Sequence, residues 1–155
     1  MTLNMKVVQC RAAYRRFAMA IGLGLTLILS ACTQPQTDTG RWYTKAQAET
    51  GKTLFEANCG VCHGRRAQGL AENWKKPDAN GHYPPPPLNG TAHAWHHPME
   101  TLLATIENGG APVGGVMPAF GDKFNQEQKL ALVAYFQSLW PDDIYQQWRE
   151  IDDRN

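Results

Sequence analysis

Two cysteines three positions apart, Cys59 and Cys62, are followed at once by His63. Thiols at that spacing can form thioether bonds to the two vinyl groups of one porphyrin. The adjoining imidazole is then held under the iron, where its neutral form is a good ligand. The C-x-x-C-H run is therefore a signature of covalent c-type haem attachment. Other chemistry open to two thiols fits less well. A structural zinc site takes four ligands. The chain has no second cysteine pair for an all-cysteine set, and a mixed set would have to borrow histidines from a distant loop. A thioredoxin-like dithiol should follow a strand in a βαβ pattern, and none surrounds residues 59–63.

An iron held on one side by an imidazole needs a group for its other side. Met117 stands after the glycine-rich run 109–116, where a methionine has no helical core face to fill. Its thioether is a soft ligand that suits a low-spin haem iron. Met99 is the other methionine beyond the N-terminal segment, and it starts a predicted helix. His93, His96 and His97 are rival distal ligands. Three imidazoles in five positions also raise copper or zinc binding, although no carboxylate or second motif marks a dedicated site.

The elements that must position these groups read as helices joined by loops. Thr44 to Asn58 is helix-forming, with Ala46, Leu54 and Phe55 on one side. Gly51 interrupts it at a cost of ~1 kcal/mol relative to Ala, which close approach of another helix would justify. Residues 64–85 form a long loop rich in Gly and Pro, in which Trp74 and Tyr83 are expected to cover apolar surface. Pro84 to Pro87 must be extended. Pro98 opens a helix over Met99 to Asn108, with Leu102, Leu103 and Ile106 on one side and Gly109-Gly110 as the stop. Asn125 and Gln128 have the spacing of a capping box. Leu132, Tyr135, Phe136 and Leu139 then line a face until Trp140-Pro141 ends the helix. A short helix over Asp143 to Ile151 would put Ile144, Trp148 and Ile151 together. The acidic cluster Asp142, Asp143, Asp152 and Asp153 reads most simply as a solvated end, with steering of a basic partner as the other use.

Three stretches together carry a family resemblance. Gly51-x-x-x-Phe55 ahead of Cys59-x-x-Cys62-His63, then Pro86-Pro87-Leu88, then Met117-Pro118-Ala119-Phe120 resemble segments of bacterial class I (monohaem) c-type cytochromes. The resemblance covers roughly residues 44–140. It implies an all-α cytochrome c fold, three to five helices around one covalently bound haem c. It implies that His63 and Met117 are the axial ligands, that the Pro86 carbonyl accepts the proton on the second nitrogen of His63, and that Leu88 packs on the porphyrin. It also implies that Gly51 and Phe55 meet the C-terminal helix at Tyr135 or Phe136. The expected function is one-electron transfer with transient redox protein partners, not catalysis. The competing readings are a haem enzyme with a weakly held sixth ligand, and a haem- or copper-handling sensor or chaperone that uses the His93–His97 loop. A bound subunit of an oxidase or dehydrogenase complex would leave the chemistry unchanged.

The N-terminus points to export. Lys6, Arg11, Arg15 and Arg16 precede a short apolar run from Ala18 to Leu29, the pattern of a signal segment. Leu29-Ser30-Ala31-Cys32 resembles a bacterial lipobox, in which Cys32 is lipidated and becomes the new N-terminus. Residues 1–31 are then a lipoprotein signal peptide, 32–41 a flexible tether, 42–141 the cytochrome c domain and 142–155 a C-terminal extension. The resulting expectation is a membrane attachment through lipid on the periplasmic side, with Thr33 after Cys32 slightly favouring the outer membrane. Removing residues 1–31 takes away four of the 15 Lys and Arg and none of the 14 Asp and Glu. The remaining net charge of −3 gives no footprint for nucleic acid.

Overall fold

Helix starts in this chain are written in side chains that satisfy the free N–H groups of a first turn. Thr44 accepts a hydrogen bond from the Gln47 N–H, and the Gln47 side chain accepts one from the Thr44 N–H at 2.8 Å. This reciprocal cap opens α1, Lys45–Asn58. Asn125 and Gln128 repeat the device at the start of α4, Gln126–Ser138. Between them lie the single turn α2, Gly60–His63, and α3, Met99–Asn108; α5, Asp142–Asp152, follows. The computed structural model describes residues 39–155, among which every regular element is helical. The expected signal peptide, Cys32 and the tether up to residue 38 lie outside the described residues.

The principal packing is α1 against α4. A Cβ placed on Gly51 would lie 1.8 Å from the Ala131 carbonyl oxygen, so the two backbones touch there and only glycine fits. One turn later Phe55 meets Tyr135, with ring centroids 5.1 Å apart. The partner of Gly51 and Phe55 is thus Tyr135 with Ala131, while Phe136 turns toward Trp140. Every residue from Ala131 to Gln137 is buried. The last two turns of α4 are enclosed on all sides, which explains why that stretch shows no clear polar stripe.

Helices α1 and α3 cover α4, while the C-terminal segment packs beside it over residues 94–99 and Trp140. In α5, Tyr145 and Trp148 are each 2% exposed and join Trp140 in one aromatic cluster. The Trp148 indole N–H donates to the His97 carbonyl at 3.0 Å. The Asp152 carboxylate accepts from the Met99 N–H at 2.6 Å and so caps α3, whose Pro98 has no capping side chain. Arg41, near the end of the expected tether, donates to the Gln137 and Trp140 carbonyls and to Asp142, and it stacks over the Tyr145 ring at 4.4 Å. Three members of the acidic cluster therefore have structural partners, Asp153 being 3.9 Å from Arg149. Asp142 takes Arg41 and Asp152 takes the start of α3.

Candidate functional site

Cys59 ends α1 and begins α2. Its N–H donates to the Phe55 carbonyl at 2.8 Å, and its own carbonyl accepts from the His63 N–H at 2.9 Å. The turn is tight enough to place Cys59, Cys62 and His63 at one corner. Both cysteines are free thiols. Cys59 is half-buried, and burial, with the neighbouring Cys62 second, pushes its pKa up to about 11. Cys62 is exposed, as is Val61 beside it.

His63 is only 8% exposed. Burial lowers its pKa, against the opposing pull of a backbone hydrogen bond, so the neutral ring is favoured. That bond runs from Nδ1 to the Pro86 carbonyl at 2.8 Å. A carbonyl can only accept, so the proton sits on Nδ1 and the lone pair of Nε2 is left for a metal. The chain returns to reach this ring through a set of backbone bonds. The Gly69 N–H donates to the His63 carbonyl at 2.7 Å, and the Leu88 and Asn89 N–H groups both donate to the Ala67 carbonyl, at 2.7 and 3.2 Å. The Leu88 carbonyl in turn accepts from the Trp140 indole at 2.7 Å.

Met117 is half-buried at the base of the glycine-rich loop. Its carbonyl accepts from the Gly110 N–H at 2.9 Å, and the Phe120 and Gly121 N–H groups donate to the Ile106 and Glu107 carbonyls at the end of α3. Gly109 has φ 72° and leaves no room for a side chain, since a Cβ there would lie 2.5 Å from the Met117 carbonyl oxygen. Glu107 also forms an ion pair with Lys129 of α4. The backbone around Met117 is thus fastened to the end of α3, which the Glu107–Lys129 pair joins to α4.

Cys59, Leu88, Met117 and Phe120 all pack against the same core cluster. The three histidines of the 93–97 stretch do not converge. His93 stacks on Trp74 and lies 5.6 Å edge-on from His97, while His96 stacks on Trp95 at 3.6 Å. No group of three or more His, Cys, Asp or Glu side chains is placed to hold a metal ion among the described residues. Trp74 covers His93, but Tyr83 is 61% exposed rather than covering apolar surface. It follows a turn closed by Asp78, whose carboxylate accepts from the Asn80 and His82 N–H groups, and this turn holds the tip of the loop outward.

The residue set fits a covalent haem. Two free thiols occupy one turn, the adjoining imidazole has its proton committed away from the metal, and Leu88, Met117 and Phe120 provide apolar and thioether contacts from one core. Two supporting residues have no signal in the sequence. Trp140 fixes Leu88 from 52 positions away. Ala67 is buried at φ 55°, a backbone angle that its residue type does not announce.

Residues 46–136 match the family described as cytochrome c oxidase, cbb3-type, subunit III. The chain is 35% identical over 94 residues to the cbb3-type cytochrome c oxidase subunit CcoP of Azospirillum brasilense, covering 61% of this chain and 29% of that one. Against the cbb3-type subunit FixP of Azorhizobium caulinodans it is 35% identical over 92 residues, 59% of this chain and 27% of the relative. Cytochrome c-551 of Bacillus subtilis is 34% identical over 58 residues, 34% of this chain and 51% of that protein. The chain therefore spans under a third of the length of the two oxidase subunits it resembles. No solved structure matches it significantly.

Proposed function

We propose a function from the premise that the chain belongs to the cbb3-type cytochrome c oxidase subunit III family, as a cytochrome c domain with covalent haem c and an electron-transfer role. Cys59 and Cys62 would provide the two thioether bonds, and His63 through Nε2 and Met117 through its sulfur would ligate the iron. The observation that carries this reading is the 2.8 Å bond from His63 Nδ1 to the Pro86 carbonyl inside a C-x-x-C-H turn. It orients the ring and raises its basicity. The haem, when bound, supplies an iron that cycles between ferric and ferrous states. The chain's part is to hold the two axial groups on a rigid helical frame and keep water away, so that little rearranges when the electron arrives or leaves. Leu88, which packs against the core cluster, would offer apolar contact to the porphyrin. Val61, Val113 and Val116, all exposed, offer an apolar rim for brief docking to a redox partner.

The domain is tethered through lipid on Cys32, which places it on the periplasmic side of a bacterial membrane. No helix among the described residues is long and apolar enough to cross a membrane. The names of the two Azospirillum and Azorhizobium relatives favour a second setting for the same chemistry, in which the domain passes electrons within or to a terminal oxidase.

Acid–acetone extraction tests the attachment: the haem should remain with the polypeptide, and its loss would overturn the thioether assignment. Met117→Ala should abolish the charge-transfer band of a methionine-ligated ferric haem, and survival of that band would remove Met117 from the site. Incorporation of a labelled acyl precursor into wild type but not Cys32→Ser is expected for the anchor. Equal labelling would overturn it.

A further inference from the structure

Ala67 is the only non-glycine residue with positive φ among the described residues, at 55°, and it is fully buried. A left-handed backbone is unfavourable for a residue with a Cβ and persists only where its surroundings impose it. Here the surroundings are three hydrogen bonds. The Ala67 N–H donates to the Gly64 carbonyl at 2.9 Å, and its carbonyl accepts from both Leu88 and Asn89. Between Leu88 and the carbonyl on His63 stands only Pro87, whose ring fixes its own φ. Pro87 is buried against Gly69, where a Cβ would come within 3.1 Å of the ring. The segment 86–88 therefore shifts as a block, held on its N–H side by the Ala67 carbonyl and at the Leu88 carbonyl by the Trp140 indole.

We propose that Ala67 is a positioning residue for electron transfer. Its left-handed backbone holds the Pro86–Leu88 segment at the one height where the Pro86 carbonyl takes the His63 Nδ1 proton, and so it sets the basicity of the proximal imidazole. This inference rests on the reading that His63 ligates the haem iron. A hydrogen bond that strengthens the imidazole as a donor favours the ferric state, because outer hydrogen bonds tune a haem's potential. Weakening it favours the ferrous state. A β-branched side chain at position 67 cannot sit comfortably at φ 55° and would pull the carbonyl out of register with Leu88 and Asn89. Glycine accepts the same angle without cost.

The test uses the full haem-loaded chain. Three variants, Ala67→Val, Ala67→Gly and Gly69→Ala, are compared with wild type by equilibrium redox titration and by the proton NMR signal and hydrogen exchange of His63 Nδ1–H in the ferrous protein. Gly69→Ala presses on Pro87 from the other side, and it carries the test should Ala67→Val fail to mature. Ala67→Val and Gly69→Ala are expected to raise the ferrous-to-ferric ratio at a fixed ambient potential by up to about tenfold, ~59 mV for one electron. Both should also speed exchange of the Nδ1 proton, while Ala67→Gly should match wild type in both. Asp152→Ala, which uncaps α3 far from the ring, serves as the control and should lower stability without moving either reading. Lower stability in Ala67→Val and Gly69→Ala with unchanged ratio and exchange would overturn the proposal, as would a shift in Ala67→Gly equal to that in Ala67→Val. Absence of a slowly exchanging Nδ1 proton from wild type would instead overturn the underlying assignment of His63.

Discussion

The two groups proposed to face each other across the iron are held in opposite ways. His63 is enclosed: its ring is buried, its Nδ1 proton is taken by Pro86, and the segment bearing Pro86 is tied down through Ala67, Gly69 and Trp140. Met117 sits in a stretch whose neighbours from Ala111 to Val116 are all exposed, Val113 at 88%. Backbone bonds at the base of that loop fix it, and its side chain is only half-buried against the core. One side is thus a socket and the other a clasp. Loops with few buried contacts open at little cost, whereas the enclosed side moves only with the core. Exchange of the axial ligand, where it occurs, should therefore begin at Met117.

The sharpest way to break this contrast is to remove the socket. His63→Ala should leave almost no mature holoprotein, a loss greater than the ~10–100-fold that removing a supporting hydrogen bond costs a metal site. Haem-stained polypeptide on a denaturing gel measures it, and near-normal yield would mean that His63 is not the proximal group. Opening the clasp should do less. Met117→Ala is expected to keep its covalent haem and helical circular dichroism while binding added imidazole or carbon monoxide, which wild type resists, and its potential should fall because methionine ligation raises it. A smaller effect is expected from Gly109→Ala, which adds a Cβ against the Met117 carbonyl at a backbone angle of 72°. Stability should drop by more than about 1 kcal/mol, and the methionine charge-transfer band should weaken before the helices melt. Simultaneous loss of both would mean that the loop and core unfold as one unit. The smallest effect belongs to the loop tip. Val113→Ser should change stability by less than ~0.5 kcal/mol and leave the band intact, while slowing electron exchange with a partner that docks on the apolar rim.

The parts that were legible beforehand are those written in local chemistry. The C-x-x-C-H turn, the Asn125–Gln128 cap and the stop at Gly109 follow from residue type at fixed spacing, whereas the all-α fold and the meeting of Gly51 with the C-terminal helix follow from the family resemblance. The Pro86 carbonyl was placed by family resemblance, and it does lie against His63 Nδ1. What stayed hidden depends on partners distant in the chain. Asp152 reads as one more surface carboxylate until α5 folds back over Met99, 53 positions earlier. Arg41 reads as linker until its guanidinium meets carbonyls nearly a hundred positions away.

The contact at Gly51 has one more consequence. Because the Ala131 carbonyl fills the space a Cβ would need, the two helices can seat in a single register. A slip of one residue would bring Thr50 or Lys52 onto that oxygen and force the backbones apart. A slip of a full turn would bring up Gln47 or Phe55, with the same result. The contact therefore works as a key in a lock during assembly. A chain whose ends meet out of step gains no close packing and remains free to separate and try again. The C-x-x-C-H turn is attached directly to the end of α1, so its position relative to α4 depends on that register.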